Sequence, residues 1–245
     1  MNKVYACTDL HGCYKLWTQI KEFCDETDTI YFLGDACDRG EHGLRIMREM
    51  LADPRVHYIK GNHEAFFEDI GSELIEGRTS QIPLWRSNGG FDTMRDLLAL
   101  PEEAQETYIR RIAKLPISAK YVNKKGQTIL LSHAGFTPDR KPNRIRDYLW
   151  DRNHFYDFWP TDKKYEDTYI VHGHTPVESL LHIMGPQKFF TRDKYGWLNP
   201  VFYEGGHKID LDLASFESGK AVLLDLDELT IAATFYDKEI WRLVD

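Results

Sequence analysis

Long apolar runs are missing from this 245-residue chain, whose hydrophobic segments are short and broken by charge. A membrane-spanning helix needs about 20 consecutive apolar residues, so none is expected. The stretch from Met1 to Asp9 holds no apolar core ahead of its first acidic residue, and no secretory leader is expected there. Cysteine is scarce: Cys7, Cys13, Cys24 and Cys37 are the four, and their spacing matches no paired zinc motif. Reduced thiols in a cytoplasmic protein are the expectation. Positive charge is in deficit too, with 31 Lys and Arg against 39 Asp and Glu and a formal net charge of -8. Such a surface suits neither a nucleic acid backbone nor an anionic membrane, so neither is expected as a partner. An anionic substrate would need a local positive site, which bound cations would supply. Internal repeats and low-complexity tracts are absent as well.

What is present reads as a folded α/β protein. A hydrophobic share of 42% and a charged share of 29% are ordinary for a globular chain. Short apolar, β-branched or aromatic runs predict strands over 4–8, 29–33, 56–59, 128–132 and 168–172. A later pair, 221–226 and 230–236, is separated by Asp227-Glu228 and reads as a hairpin. Leu16, Ile20 and Phe23 share one helix face, and so do Leu44, Met47 and Leu51. This alternation predicts a layered fold with largely parallel early strands. Residues 65–119 read as mainly helical, with a polar and aromatic interruption over 82–90. No flexible linker flanks them, so they are expected as an insertion within one domain spanning 1–245. Residues 186–208 read as a long loop.

Each predicted strand ends in a polar cluster. The first ends in Asp9-Leu10-His11-Gly12, and the second in Gly34-Asp35-Ala36-Cys37-Asp38-Arg39-Gly40. The third ends in Gly61-Asn62-His63-Glu64, the fourth in His133-Ala134-Gly135, and the fifth in Gly173-His174-Thr175. Ligands of open α/β sheets sit beyond the carboxyl ends of strands, so these five clusters should converge. Their chemistry is that of a metal site. Asp9 and His11, two apart, would project to one side of an extended segment. Asp35 has two carboxylate oxygens with which to bridge two cations, while Asn62, His133 and His174 offer an amide oxygen and imidazole nitrogens. A mixed oxygen and nitrogen shell without cysteine suits Mn²⁺, Fe or Zn²⁺ in a catalytic role. Two cations about 4 Å apart can activate water and stabilise an in-line displacement at phosphorus.

In order, the segments DLHG, GDACDRG, GNHE, HAG and GHT resemble the phosphoprotein phosphatase family of metallophosphoesterases in its bacterial and phage form. The segments WRSNGG (85–90) and YLWDR (148–152) resemble that branch as well. The resemblance implies a layered β-sandwich flanked by helices and a dinuclear centre at the strand ends. Asp9, His11 and Asp35 would hold one metal, probed first as Mn²⁺, and Asp35, Asn62, His133 and His174 the other. It implies further that His63 is the general acid, oriented and kept charged by Asp38, and that Arg39, Arg152 and Asn62 bind the substrate phosphate. The implied reaction is hydrolysis of phosphomonoesters, with phosphoserine or phosphothreonine of a protein as first candidate. Diadenosine tetraphosphate is the alternative.

Thr8 stands where many members have glycine, and Pro176 where other metallophosphoesterases place a last histidine. Several residues compete for roles. Arg144 and Arg146 lie close to Arg152, and His172, alternating with His174, would share its face on a strand. His154 and His207 read as surface histidines, Cys37 as a small apolar filler, and Trp85 as packing.

Overall fold

The structure, a computed structural model, describes residues 2–243. In chain order its strands are β1 (Val4–Cys7), β2 (Thr29–Phe32), β3 (Val56–Tyr58), β4 (Ser118–Val122), β5 (Thr128–Ser132), β6 (Thr168–His172), β7 (Val201–Tyr203), β8 (Lys208–Asp210), β9 (Lys220–Asp225) and β10 (Thr230–Tyr236). Its helices are α1 (Tyr14–Phe23), α2 (Gly43–Ala52), α3 (Asn62–Ile75), α4 (Ile82–Ser87), α5 (Phe91–Leu98), α6 (Glu102–Ala113), α7 (Ile145–Trp150), α8 (Val177–Met184) and α9 (Ser215–Ser218). The strands form two five-stranded sheets, ordered β10-β9-β1-β2-β3 and β4-β5-β6-β8-β7. In the first, β1, β2 and β3 are parallel, and the β9–β10 hairpin joins antiparallel to β1. In the second, β5, β6 and β8 are parallel, while β4 and β7 pair antiparallel at the two edges.

Strand alternation builds the layers. Successive side chains point to opposite faces, so Ala6 turns toward the second sheet while Tyr5 and Cys7 turn toward the helices. Between the sheets, Ala6, Leu33 and Leu224 meet Ile129, Leu131, Val171 and Ile209. The far face of the first sheet is covered by Leu16, Trp17 and Ile20 of α1, Leu44 and Met47 of α2, and Phe67 of α3. Each such side chain, fully buried, contributes about 1.5–3 kcal/mol. On the outer face of the second sheet, Ile170 packs with Phe136 and Tyr148.

Some expectations shift. Phe23, the last residue of α1, is 44% exposed and rests edge-on against Tyr5 and Phe235. In α2 the buried residue of the last turn is Met50, with Leu51 only half-buried. The aromatic interruption at 82–90 contains the short helix α4, and residues 118–119 already belong to β4. That edge strand is only half-buried, so its sequence carries little apolar signal. The predicted loop 186–208 contains β7 and reaches the first residue of β8. Lys-Ile-Asp reads as polar, yet all three residues of β8 are buried, between β6 and β7 of the second sheet. Lys208 is accommodated there by donating from Nζ to the carbonyls of His154 (2.6 Å) and Asp157 (2.7 Å). Among the described residues no helix is long and apolar enough to cross a membrane.

Candidate metal centre

Because the parallel strands of both sheets point the same way within each sheet, the loops leaving them gather at one edge. The loops after β1 and β2 run side by side: Asp9 N–H donates to Gly34 O (3.0 Å), His11 N–H to Asp35 O (3.0 Å) and Gly12 N–H to Ala36 O (2.9 Å). Gly12 also lies so close to Gly40 that a Cβ there would sit 2.4 Å from the Gly40 carbonyl oxygen, and its φ is +74°. Only glycine fits such a place. The backbone is strained across the whole cluster. Asp9, His11, Asp35, Asp38, Arg39 and His174 all have φ between 42° and 70°, six of the nine non-glycine residues with positive φ among those described. Each costs of order 1–3 kcal/mol, which the surrounding hydrogen bonds must offset. Asp9 and His11 therefore meet through left-handed turns, and not by the alternation of an extended segment that the sequence suggested.

One oxygen is the hub. Asp35 Oδ2 lies 3.6 Å from His11 Nε2, 3.4 Å from His133 Nε2 and 3.8 Å from His63 Nε2. Its partner Oδ1 accepts the backbone N–H of His63 (3.0 Å). A single oxygen thus faces both sides of the cluster, in place of the two-oxygen bridge expected from sequence. On one side, Asp9 Oδ1 is 3.8 Å from His11 Nε2. On the other, Asn62 Oδ1 is 2.9 Å from His133 Nε2 and 2.8 Å from His174 Nδ1. Two sets, His11 with Asp35 and His63, and Asp35 with His133 and His174, bring their donor atoms within 4.8 Å of one another.

The donors fit divalent cations. His11 Nδ1 donates to Cys37 O (2.9 Å) and His133 Nδ1 to Leu33 O (2.8 Å), which turns the Nε2 of each inward, where a cation would take it in place of a proton. Carboxylate oxygens, an amide oxygen and imidazole nitrogens then face one another at close range. Such an arrangement repels itself unless a cation lies among them. The charge balance agrees. Burial drives Asp9 up to about 7, with Asp35 adding to it. Burial opposes protonation of His133, but the Asp35 and Asp9 carboxylates override it and push that imidazole up to about 10. The cluster's own side chains leave it short of positive charge.

His63 differs from the other histidines in its partner. Its Nδ1 donates to the Asp38 carboxylate (2.7 Å) and not to a carbonyl. Burial lowers its basicity, yet Asp35 and Asp38 together raise it above the usual imidazole value. Arg39 Nη2 lies 3.4 Å from His63 Nε2, with the guanidinium 4.8 Å above the Phe216 ring. Two cationic groups at that distance favour an anion between them. Arg152 donates from Nε to Thr175 Oγ1 (3.1 Å); burial first, then His133 and the Arg152 charge, hold the His174 imidazole neutral. Arg144, Arg146 and Arg152 are all exposed; of the three, Arg152 is the one bonded to Thr175, next to His174.

Other residues were not legible. Glu64 accepts from the amides of Asp35 (2.7 Å), Ala36 (2.9 Å) and Gly61 (2.8 Å) and from the Tyr58 hydroxyl (2.7 Å), tying the β2 loop to the start of α3. The Glu three residues into a helix was the available signal. Thr8 donates to Asp9 Oδ2 (2.5 Å), so its replacement of glycine orients a carboxylate. Asp212, beyond β8, is buried, and its carboxyl is raised by burial and by nearby Asp9. Trp85 is more than packing, because its indole Nε1–H donates to Asp38 Oδ2 (2.8 Å). His172 does not share the face of His174: its Nε2 meets the Tyr203 hydroxyl (2.9 Å), and its ring lies 4.9 Å from that of His154. His154 is 1% exposed, buried and not on the surface as its sequence context suggested. His207 is half-buried, stacked on Trp159 and Tyr169. Cys37 is fully buried, its thiol pushed up by burial and by Asp38.

The model of the calcineurin-like phosphoesterases matches residues 2–208. The chain belongs to that family. Calcineurin-like phosphoesterases use a dinuclear divalent-metal site, and Asp35 with His11 on one side and with His133 and His174 on the other are candidate ligand groups for it here. Among curated members, a bis(5'-nucleosyl)-tetraphosphatase of Oceanobacillus iheyensis is 25% identical over 206 residues, which is 71% of this chain and 78% of that protein. The serine/threonine-protein phosphatase 2 of Salmonella typhimurium is 27% identical over 157 residues, 61% of this chain and 68% of that protein. Among solved calcineurin-like folds, a serine/threonine phosphatase of Saccharomyces cerevisiae superposes with a TM-score of 0.58 at 14% identity, over 96% of this chain and 80% of that one. A metallophosphoesterase of Sphaerobacter thermophilus gives 0.54 at 15% identity, over 99% and 94%. These likenesses show an α/β fold of two mixed sheets flanked by helices.

Proposed function

We propose that this phosphoesterase hydrolyses a phosphoric anhydride or ester of a dinucleoside polyphosphate, with His63 as general acid, Asp38 as its partner, and Arg39 and Arg152 on the phosphoryl oxygens. The observation that carries the chemistry is the convergence of Asp35 Oδ2 with His11, His133 and His63 beside the Arg39 guanidinium. Divalent cations, Mn²⁺ first among candidates, would be held by Asp9, His11, Asp35, Asn62, His133 and His174. When bound they supply charge neutralisation and acidify water. The side chains do the rest. Asp38 fixes His63 through Nδ1, so that Nε2 carries a proton toward the departing oxygen. Arg39, planar and always charged, takes phosphoryl oxygens in a forked contact. Arg152, near His174 and steadied by Thr175, supplies a second guanidinium.

The dinucleotide is favoured by two things. Seven matched curated relatives are bis(5'-nucleosyl)-tetraphosphatases. A cavity of about 310 Å³ also opens beyond the loops that carry His174 and Asp212, lined by Pro176 and Val177, by Leu213 and Ala214, by Tyr195 and Trp197, and by the charged Glu178, Arg192 and Glu217. Aromatic and apolar walls with a few polar groups suit a nucleobase. The second reading, a phosphoserine or phosphothreonine protein phosphatase, is supported by the Salmonella relative. Turnover with Mn²⁺ separates them, read as nucleotide products from diadenosine tetraphosphate and as released phosphate from a phosphoserine peptide and p-nitrophenyl phosphate, with Asp35→Asn as the inactive control. The expected result is a preference of at least tenfold in kcat/KM for the dinucleotide, lost in Trp197→Ala. A preference for the peptide would replace this reading by the second.

A further inference from the structure

The helical segment between β3 and β4 does more than cover the sheet, because its α4–α5 corner holds the Asp38-Arg39 dipeptide at three points. The Trp85 indole Nε1–H donates to Asp38 Oδ2 (2.8 Å), the same oxygen that receives His63 Nδ1 at 2.7 Å. Asp38 N–H donates to Thr93 Oγ1 (3.1 Å). Arg39 N–H donates to Gly89 O (2.8 Å). Both residues so held have left-handed backbones, with φ of 67° and 65°. Within the β2 loop only the Gly40 N–H to Asp38 O bond (2.7 Å) supports two consecutive non-glycine residues in that conformation, which is costly for Arg39.

The corner is built for this contact. Trp85 is fully buried, with its ring edge-on to Phe67 and 6.2 Å from it. Gly90 passes so close that a Cβ would lie 2.1 Å from the indole Cδ1. The indole therefore cannot swing away from Asp38. The other carboxylate oxygen, Asp38 Oδ1, is buried and has no hydrogen-bond partner among the described residues. Both donors load one oxygen, and that fixes the rotation of the carboxylate about its Cβ–Cγ bond. An untethered carboxylate in that site could turn either oxygen to His63 and tilt the imidazole with it.

We infer that Trp85 is a positioning residue for proton transfer: its indole N–H locks the Asp38 carboxylate, which locks His63, while Gly89 and Thr93 set the loop that aims Arg39. This rests on the assignment of His63 as general acid. No covalent step is added; the proton on His63 Nε2 passes to the leaving oxygen as the P–O bond breaks.

The test compares leaving groups. Trp85→Phe keeps the ring and removes the N–H. Its kcat is measured on an alkyl phosphate, whose leaving oxygen needs a proton, and on p-nitrophenyl phosphate, whose leaving group departs without one. The expected result is a fall of tenfold or more on the alkyl ester, less than threefold on the aryl ester, and KM within twofold for both. In the Asp38→Asn background the same substitution should leave the ratio of the two substrates unchanged. Equal losses on both esters, or a full additional loss in Asp38→Asn, would overturn the inference, since either would mean a general structural effect. Should Trp85→Phe fail to fold, Thr93→Val reads the same ratio, with a shift of about threefold expected and none refuting. His63→Asn separates the two layers of the argument. If it shows no dependence on the leaving group, the acid assignment fails; if it does and Trp85→Phe does not, only the role of Trp85 fails.

Discussion

Replacing Glu64 by Gln changes one oxygen to an amide nitrogen and removes a charge, and the structure says what that does. Oε2 accepts from the amides of Asp35 and Gly61, and Oε1 from the amide of Ala36 and the Tyr58 hydroxyl. The glutamine would place its nitrogen on the Oε1 side, where the Tyr58 hydroxyl can rotate to accept. The Ala36 N–H is then left buried without a partner. Losing that charge-assisted bond costs about 2 kcal/mol, and weakening the other three from ionic to neutral costs roughly another 2. Relief of the buried charge, whose carboxyl is already raised by burial and by Asp35, returns about 1. The net is ~3 kcal/mol. For a chain of this length that lowers Tm by roughly 6–12 °C. Because Glu64 pins both the Asp35 loop and the turn before Asn62, affinity for Mn²⁺ should also fall about 10- to 100-fold. Thermal unfolding with and without Mn²⁺, and metal titration by calorimetry, measure the two effects. A Tm within about 2 °C of wild type with unchanged metal affinity would mean that the four bonds do not hold the centre together.

Stripping metal with a chelator should lower Tm by roughly 5–10 °C relative to protein at 100-fold saturation with Mn²⁺, since ligand binding at that level adds about 2.7 kcal/mol; indistinguishable melting curves would count against a metal centre. The thiols should be inert in the folded chain. Burial pushes Cys13 and Cys24 up to about 12, so at pH 8 the thiolate fraction is about one in ten thousand, and iodoacetamide followed by mass spectrometry should find all four cysteines unmodified until denaturant is added. The sign follows from the direction of the shift, labelling rising only as pH climbs toward 12. Rapid modification of Cys37 at neutral pH would show that the loop opens.

How much was legible depends on how local the cause is. Val4 to Cys7 and its parallel neighbours announced themselves because a buried strand needs an unbroken apolar run, and polar residues right after it mark where the sheet ends. The convergence of the polar clusters was readable for the same reason, as Asp9, Asp35, Asn62, His133 and His174 each follow a strand by a few residues. Chain order alone brings them to one edge once the sheets form. The sequence also carried the family, through the ordered motifs from Asp9 to Thr175.

Tertiary structure decided what depends on partners far along the chain. Left-handed turns at Asp9 and His11 are stabilised by the β2 loop, so no window around residue 9 could reveal them. Whether Asp35 faces the centre with one oxygen or two was settled by the amide of His63, and whether His172 or His174 does so was settled by where β6 ends and by the Tyr203 hydroxyl. Lys208 lies buried within a sheet because two carbonyls from the 154–157 segment solvate it, a compensation invisible in the letters Lys-Ile-Asp. Residue types near a strand end specify what a site can bind. Which atom points inward is fixed by hydrogen bonds that span tens of residues, and those exist only in the folded chain.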